Sequence, residues 1–181
     1  MIYLLLADGF EEAEALVPLD LLRRAGLPVQ TVAITASPVV GSHGIPVVAD
    51  ITPREATEPI DLLIFPGGLP GATNLDESPE AEALLRRALA EDARIAAICA
   101  APLILGKRGL LDGKRAICYP GFEEYLAGAE IATDARVVTD GRITTGIGMG
   151  AAAEFGLELV SLLASPAVAD KLANAAFIPS P

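Results

Sequence analysis

Apolar positions along the chain fall into two kinds of run. Short, almost unbroken stretches rich in leucine or β-branched residues read as strands: Ile2–Leu6, Val29–Ile34, Asp61–Phe65, Arg94–Ile98, Lys114–Cys118 and Arg136–Thr139. Longer stretches with helical texture lie between them. Glu11–Ala25 starts on acid, ends on Arg23-Arg24 and is followed by Gly26, which suits the helix dipole and a glycine C-cap. Pro18 inside it predicts a kink or a late start. Ser78-Pro79-Glu80 opens a second helix, to Glu91, with a capping serine, a first-turn proline and acid. A third helix begins after Cys99, a fourth runs from Gly150 to Leu163, and Ser165-Pro166 opens a last one to Ala175. Pro38–Ala49 and Arg136–Thr145 read as hairpins, the second turning on Asp140-Gly141. Strands alternating with helices, with no repeat or linker, predict one α/β domain over residues 1–181 around a mainly parallel sheet.

Composition narrows what such a domain does. Thirteen Lys+Arg against 24 Asp+Glu give a net charge of −11, which argues against nucleic acid or an anionic membrane as partner. Hydrophobic residues make up 52% and aromatics 4%, so the core is aliphatic and disorder is excluded. No apolar stretch reaches the roughly 20 residues of a spanning helix. The opening MIYLLLADGFEE lacks a basic n-region, so a cytoplasmic protein is expected. Two cysteines and one histidine make neither a disulfide framework nor a zinc site, and no metal or cofactor is expected.

In parallel sheets, ligands bind beyond the carboxyl ends of the strands. Three loops there are unusual. Phe65-Pro66-Gly67-Gly68 leaves a strand on two glycines, which free backbone N–H groups to face a ligand. Ile98-Cys99-Ala100-Ala101-Pro102 turns from strand to helix at a cysteine flanked by small residues, as a nucleophile elbow does. A thiol there gains thiolate character from the helix N-terminus. Ala7-Asp8-Gly9-Phe10-Glu11-Glu12-Ala13-Glu14 leaves the first strand with three glutamates. Each has a plainer reading: cysteines are among the most buried residues, and acid at a helix start is usually capping. Cys118, inside an expected strand, reads as core.

The segments ADGFEEAE, LRRAG, FPGGLPGATNL, AAICAAP and TTGIGMGAAAEFGLELV resemble, in this order and spacing, the ThiJ/PfpI superfamily and its DJ-one deglycase branch. The resemblance implies a flavodoxin-like three-layer sandwich, with helices on both faces of the sheet. It makes Cys99 the nucleophilic, oxidisable thiol and Glu14 the carboxyl touching its sulfur. Gly67, Gly68 and the Ala100 N–H then form an oxyanion-type pocket. A homodimer through the Glu11–Ala25 helix follows from the same resemblance, with Arg24, His43 and Tyr119 as possible substrate or dimer contacts.

Two departures shape the chemistry. Ala100 stands where the protease-like branch carries histidine, and Tyr119 where relatives often carry one. A free phenol has a pKa of about 10 and is no base near neutrality. The only histidine, His43, lies in a hairpin as a solvated loop residue, so a peptidase triad is unsupported. A cysteine–glutamate pair remains, with Glu14 protonated and donating to sulfur, which lowers the thiol pKa. It suits cofactor-free conversion of a reactive aldehyde such as methylglyoxal to lactate, or deglycation. It equally suits a non-enzymatic redox sensor or holdase chaperone, or a binding module on the same fold. A thiazole-biosynthesis role, an old label of the family, finds no G-x-G-x-x-G after the first strand.

Overall fold

Side chains of a strand alternate between faces, and along Ile2–Leu6 (β1) every residue is buried. Tyr3 and Leu5 enter one apolar core, while Ile2, Leu4 and Leu6 enter another on the opposite face. The first strand therefore already specifies two cores and a layer of helices over each.

The computed structural model describes residues 1–179. After β1 come α1 (Glu12–Arg24), β2 (Val29–Ala33), β3 (Val39–Val40), β4 (Pro46–Val47), β5 (Leu62–Phe65), α2 (Gly71–Glu77), α3 (Pro79–Ala90), β6 (Arg94–Ile98) and α4 (Pro102–Gly106). Then follow β7 (Arg115–Ala116), β8 (Glu130–Ile131), β9 (Val137–Asp140), β10 (Ile143–Gly146), α5 (Ala152–Leu163) and α6 (Pro166–Ala175). The central sheet has six strands in the order β2-β1-β5-β6-β10-β9. Its first five are parallel, with Leu4 opposite Thr31, Leu63 opposite Ile95 and Ala96 opposite Thr144. The edge strand β9 runs antiparallel, with Asp140 opposite Ile143. Residues from α2, α3 and α4 close one core. Residues from α1, α5 and α6 close the other. This is the flavodoxin-like three-layer α/β sandwich, and it puts the topological switch point beyond the carboxyl ends of β1 and β5.

Three expectations change. Of Lys114–Cys118 only Arg115–Ala116 is strand, and it pairs with β8 in a small sheet of its own. Side chains of the main sheet take its N–H groups instead of a ladder: Asp140 accepts from Arg115 and Thr145 from Ile117. The glycine-rich segment after β5 contains α2, which periodicity did not reveal. Pro18 does not delay the start of α1, which runs from Glu12 to Arg24. A Cβ on Gly156 of α5 would lie 2.9 Å from the Pro18 Cα and 2.8 Å from Leu21 Cδ1, so the two helices meet closely there. The glycine C-cap holds, with Gly26 at φ +73°.

Candidate active site

Cys99 ends β6 at φ +65°, a left-handed conformation costing a non-glycine residue about 1–3 kcal/mol. Two backbone bonds hold it there. Its N–H donates to the Gly146 carbonyl and its own carbonyl accepts from Tyr119 N–H, both at 2.8 Å. The turn is therefore locked between β10 and the segment after β7, which presents a half-buried thiol at the switch point. A helix N-terminus is a lesser influence than expected, because α4 starts three residues later and has only five residues. The N–H groups of Gly68 and Ala100 take over that role and face the sulfur.

Glu14 lies in the first turn of α1 and is wholly buried. The Glu11 carboxylate caps the helix by accepting from Glu14 N–H at 2.8 Å, and Glu11 N–H donates to the Gly67 carbonyl at 2.9 Å. Gly67 N–H in turn donates to Glu14 Oε2 at 3.0 Å. Glu14 Oε1 has no partner of this kind and sits beside the Cys99 thiol. A Cβ on Gly67 would lie 2.6 Å from both Cys99 Cβ and Glu14 Oε2, so only glycine lets carboxyl and thiol meet. Gly68, at φ +85°, turns the loop back against the Glu11 backbone.

Burial pushes the Glu14 carboxyl up to about 7, against the pull of its hydrogen bonds to Cys99 and Gly67. Burial and the adjacent Glu14 charge push the Cys99 thiol up to about 12, against the N–H groups of Gly68 and Ala100. The expected lowering of the thiol pKa is thus reversed while Glu14 is ionised. Two anions in one buried space repel, so the pair retains a proton at neutral pH and titrates as a unit. Chemically, that is a proton poised between a nucleophile and a carboxylate.

The other expected contacts divide within a single chain. Arg24 pairs with Asp20 at the far end of α1, about 15 Å along the helix from Glu14. His43 is exposed but not simply solvated, because its Nδ1 lies 2.9 Å from Oε2 of buried Glu12 and its N–H donates to Oε1 at 2.8 Å. Burial alone would raise the Glu12 carboxyl, but those contacts outweigh it and hold Glu12 down to about 2, while Glu12 raises His43. Among the described residues Glu11, Glu12 and His43 bring possible ligand atoms within 4.8 Å of one another. Both Glu12 oxygens are engaged, however, and the positive end of α1 opposes a cation there. Tyr119 does reach the site, through its bond to Cys99 and a ring beside Gly148. Cys118 is buried, and burial pushes its thiol up to about 11. A broad cavity of about 760 Å³ between β9, α5 and α6 includes none of these groups. Glu11, whose cap fixes Glu14, carries no sequence signal beyond that of acid at a helix start.

The chain is similar to several known proteins. It is 41% identical over 160 residues to Protein DJ-1 homolog B of Arabidopsis thaliana, covering 87% of this chain and 36% of that one. It spans less than half the length of that relative and of Protein DJ-1 homolog A from the same plant. It is 32% identical to the Glutathione-independent glyoxalase DJR-1.2 of Caenorhabditis elegans, covering 90% of this chain and 88% of that one. With the Deglycase PH1704 of Pyrococcus horikoshii it shares 33% identity, over 76% of this chain and 83% of that one. Among solved structures, a DJ-1 superfamily protein of Salmonella typhimurium superposes with a TM-score of 0.92 at 38% identity, covering 99% and 98% of the two chains. The oxidized DJ-1 of Toxoplasma gondii superposes at 0.93 with 33% identity and the same coverage. Residues 1–162 match the DJ-1/PfpI family, and with this elbow and this fold the chain belongs to that family.

Proposed function

We propose that this protein converts reactive aldehydes without a cofactor, using Cys99 as nucleophile and Glu14 as the group that moves protons. One observation carries the reading: Glu14 Oε1, buried and otherwise unpartnered, lies beside a thiol held at a strained elbow. The names of the nematode and archaeal relatives support aldehyde handling as the class of chemistry. A carboxyl near 7 is matched to giving and taking protons at neutral pH.

For a 2-oxo-aldehyde the steps balance without an external oxidant. Glu14 takes the thiol proton as sulfur bonds to the aldehyde carbon, and the C=O π electrons move to oxygen. That oxygen lies against the Gly68 and Ala100 N–H groups and receives the proton from Glu14, giving a hemithioacetal. Transfer of the C1 hydrogen, as a proton, to C2 through an enediol oxidises C1 and reduces C2, leaving a thioester. Water cleaves the thioester to a 2-hydroxy acid and frees the thiol. Methylglyoxal plus water thus gives lactate. Assay of lactate without glutathione, for wild type and Cys99→Ser, tests this. Turnover lost in the variant supports the reading, and equal turnover removes it.

A redox-sensor reading uses the same atoms, and the half-buried sulfur facing two N–H groups favours it as the alternative. Selective gain of two oxygens at Cys99 under mild peroxide, with no aldehyde turnover, is the result that selects it. We also propose a C2 homodimer through α1. Leu16 and Val17 are only partly covered there, and the neighbouring hairpin exposes Val40, Ile45 and Val48. Sedimentation should give twice 18.7 kDa at micromolar concentration, whereas a monomer refutes the interface.

A further inference from the structure

Three large apolar side chains left in water belong to the loops that build the Cys99 site. Leu69 is 54% exposed, Tyr119 52% and Met149 58%. All three are attached to the backbone that builds the site. Leu69 follows Gly68, whose N–H faces the sulfur. Tyr119 donates its N–H to the Cys99 carbonyl at 2.8 Å. Met149 follows Gly148, and Gly148 marks the space they surround. An atom placed where its Cβ would stand lies 3.9 Å from Cys99 Sγ, 3.9 Å from Glu14 Oε1 and 3.3 Å from Tyr119 Cδ2. The reacting pair and the tyrosine ring therefore converge on the same point beside Gly148, where the absence of a side chain leaves the approach to the half-buried sulfur.

Among the described residues, the polar groups acting on the sulfur are the Gly68 and Ala100 N–H groups and the Glu14 carboxyl. The cation of the facing segment, Arg136, is taken up by the Gly150 carbonyl and by Glu154 at 3.2 Å. An anionic substrate finds no free cation among these groups, and the chain's net charge of −11 opposes its approach.

We propose, on the reading of Cys99 as an aldehyde-attacking thiol, that the preferred substrates are uncharged 2-oxo-aldehydes carrying an apolar, aryl-sized substituent. The aldehyde carbon meets Cys99 and Glu14, while the substituent lies over Tyr119 between Leu69 and Met149, which set the preference. The chemistry is the internal oxidation and reduction already written. Only the group on C2 differs, and the product is an apolar 2-hydroxy acid.

Discrimination by a pocket for one apolar group runs from about 10-fold to 200-fold. The test compares kcat/KM of the purified full chain for phenylglyoxal, methylglyoxal and the anionic 2-oxo-aldehyde 4,5-dioxopentanoate, without glutathione. Phenylglyoxal should exceed methylglyoxal by about 10-fold or more, mainly through KM, with 4,5-dioxopentanoate below both. In the double variant Leu69→Asn, Met149→Asn the phenylglyoxal-to-methylglyoxal ratio should fall toward one. Equal kcat/KM for the two aldehydes in wild type overturns the inference while leaving aldehyde turnover standing. A preference that survives in the variant overturns the role of the two side chains. Turnover of neither aldehyde removes the underlying reading instead.

Discussion

Gly67 N–H donates to Glu14 Oε2 at 3.0 Å, across 53 positions of sequence, and so decides what Glu14 does. With one oxygen tied to the β5 loop and its own amide capped by Glu11, the carboxyl is left with Oε1 for Cys99. Strand β5 thereby aims a side chain of α1 at a thiol that follows β6. No element of the three builds the pair alone.

The most direct consequence concerns the cysteines. Cys99 is half-buried on a tight turn, whereas Cys118 is 3% exposed. Iodoacetamide at neutral pH should label Cys99 well ahead of Cys118, read by peptide mapping. Equal labelling, or Cys118 first, removes the assignment of the reactive thiol.

Glu14→Gln separates the two duties of the carboxyl. The amide still fits and still donates toward sulfur, but it carries no exchangeable acidic proton and no charge to raise the thiol. Alkylation of Cys99 should persist within about tenfold, while aldehyde turnover falls about 100-fold or more. In wild type, kcat/KM should rise with pH through about 7 as Glu14 becomes the base. That limb should vanish in the variant. Unchanged turnover means that the proton moves by another route.

Two glutamates of one helical turn give opposite stability profiles. Glu14 is raised from 4.5 to about 7, so the folded state binds the extra proton. Its contribution is complete below pH 4.5 and is lost as pH rises toward 7. Glu12 is depressed from 4.5 to about 2, so its contribution is present above 4.5 and is lost as pH falls toward 2. Denaturant titrations should show the decline between pH 4.5 and 7 flattened in Glu14→Gln. The loss below pH 4.5 should be flattened in Glu12→Gln. The same slopes in all three proteins contradict both assignments.

Gly67→Ala tests the close approach itself. The added methyl group meets Cys99 Cβ and Glu14 Oε2 at 2.6 Å and the Ile98 carbonyl at 2.8 Å, so backbone and carboxyl must move. Overpacking of this kind costs about 1–3 kcal/mol. A lowered denaturation midpoint should therefore accompany the loss of aldehyde turnover. A variant as stable and active as wild type shows that the loop has room the geometry denies.

Much of this molecule follows from local pattern. Alternation within Ile2–Leu6 demands two covered faces, Ser78-Pro79 and Gly26 punctuate helices where expected, and Asp140-Gly141 turns the last hairpin. These signals are short-range and act through neighbours in sequence, so they survive being read one segment at a time. Cys99 among small residues and the glycine pair at Gly67-Gly68 announce a site in the same way. What tertiary structure alone decided is long-range. Lys114–Cys118 has strand composition but lost its ladder to the Asp140 and Thr145 side chains. Pro18 stayed inside α1, against the open space of Gly156. The charge state of Cys99 and Glu14 was likewise settled only by burial and by each other, because a pKa belongs to an environment and not to a residue.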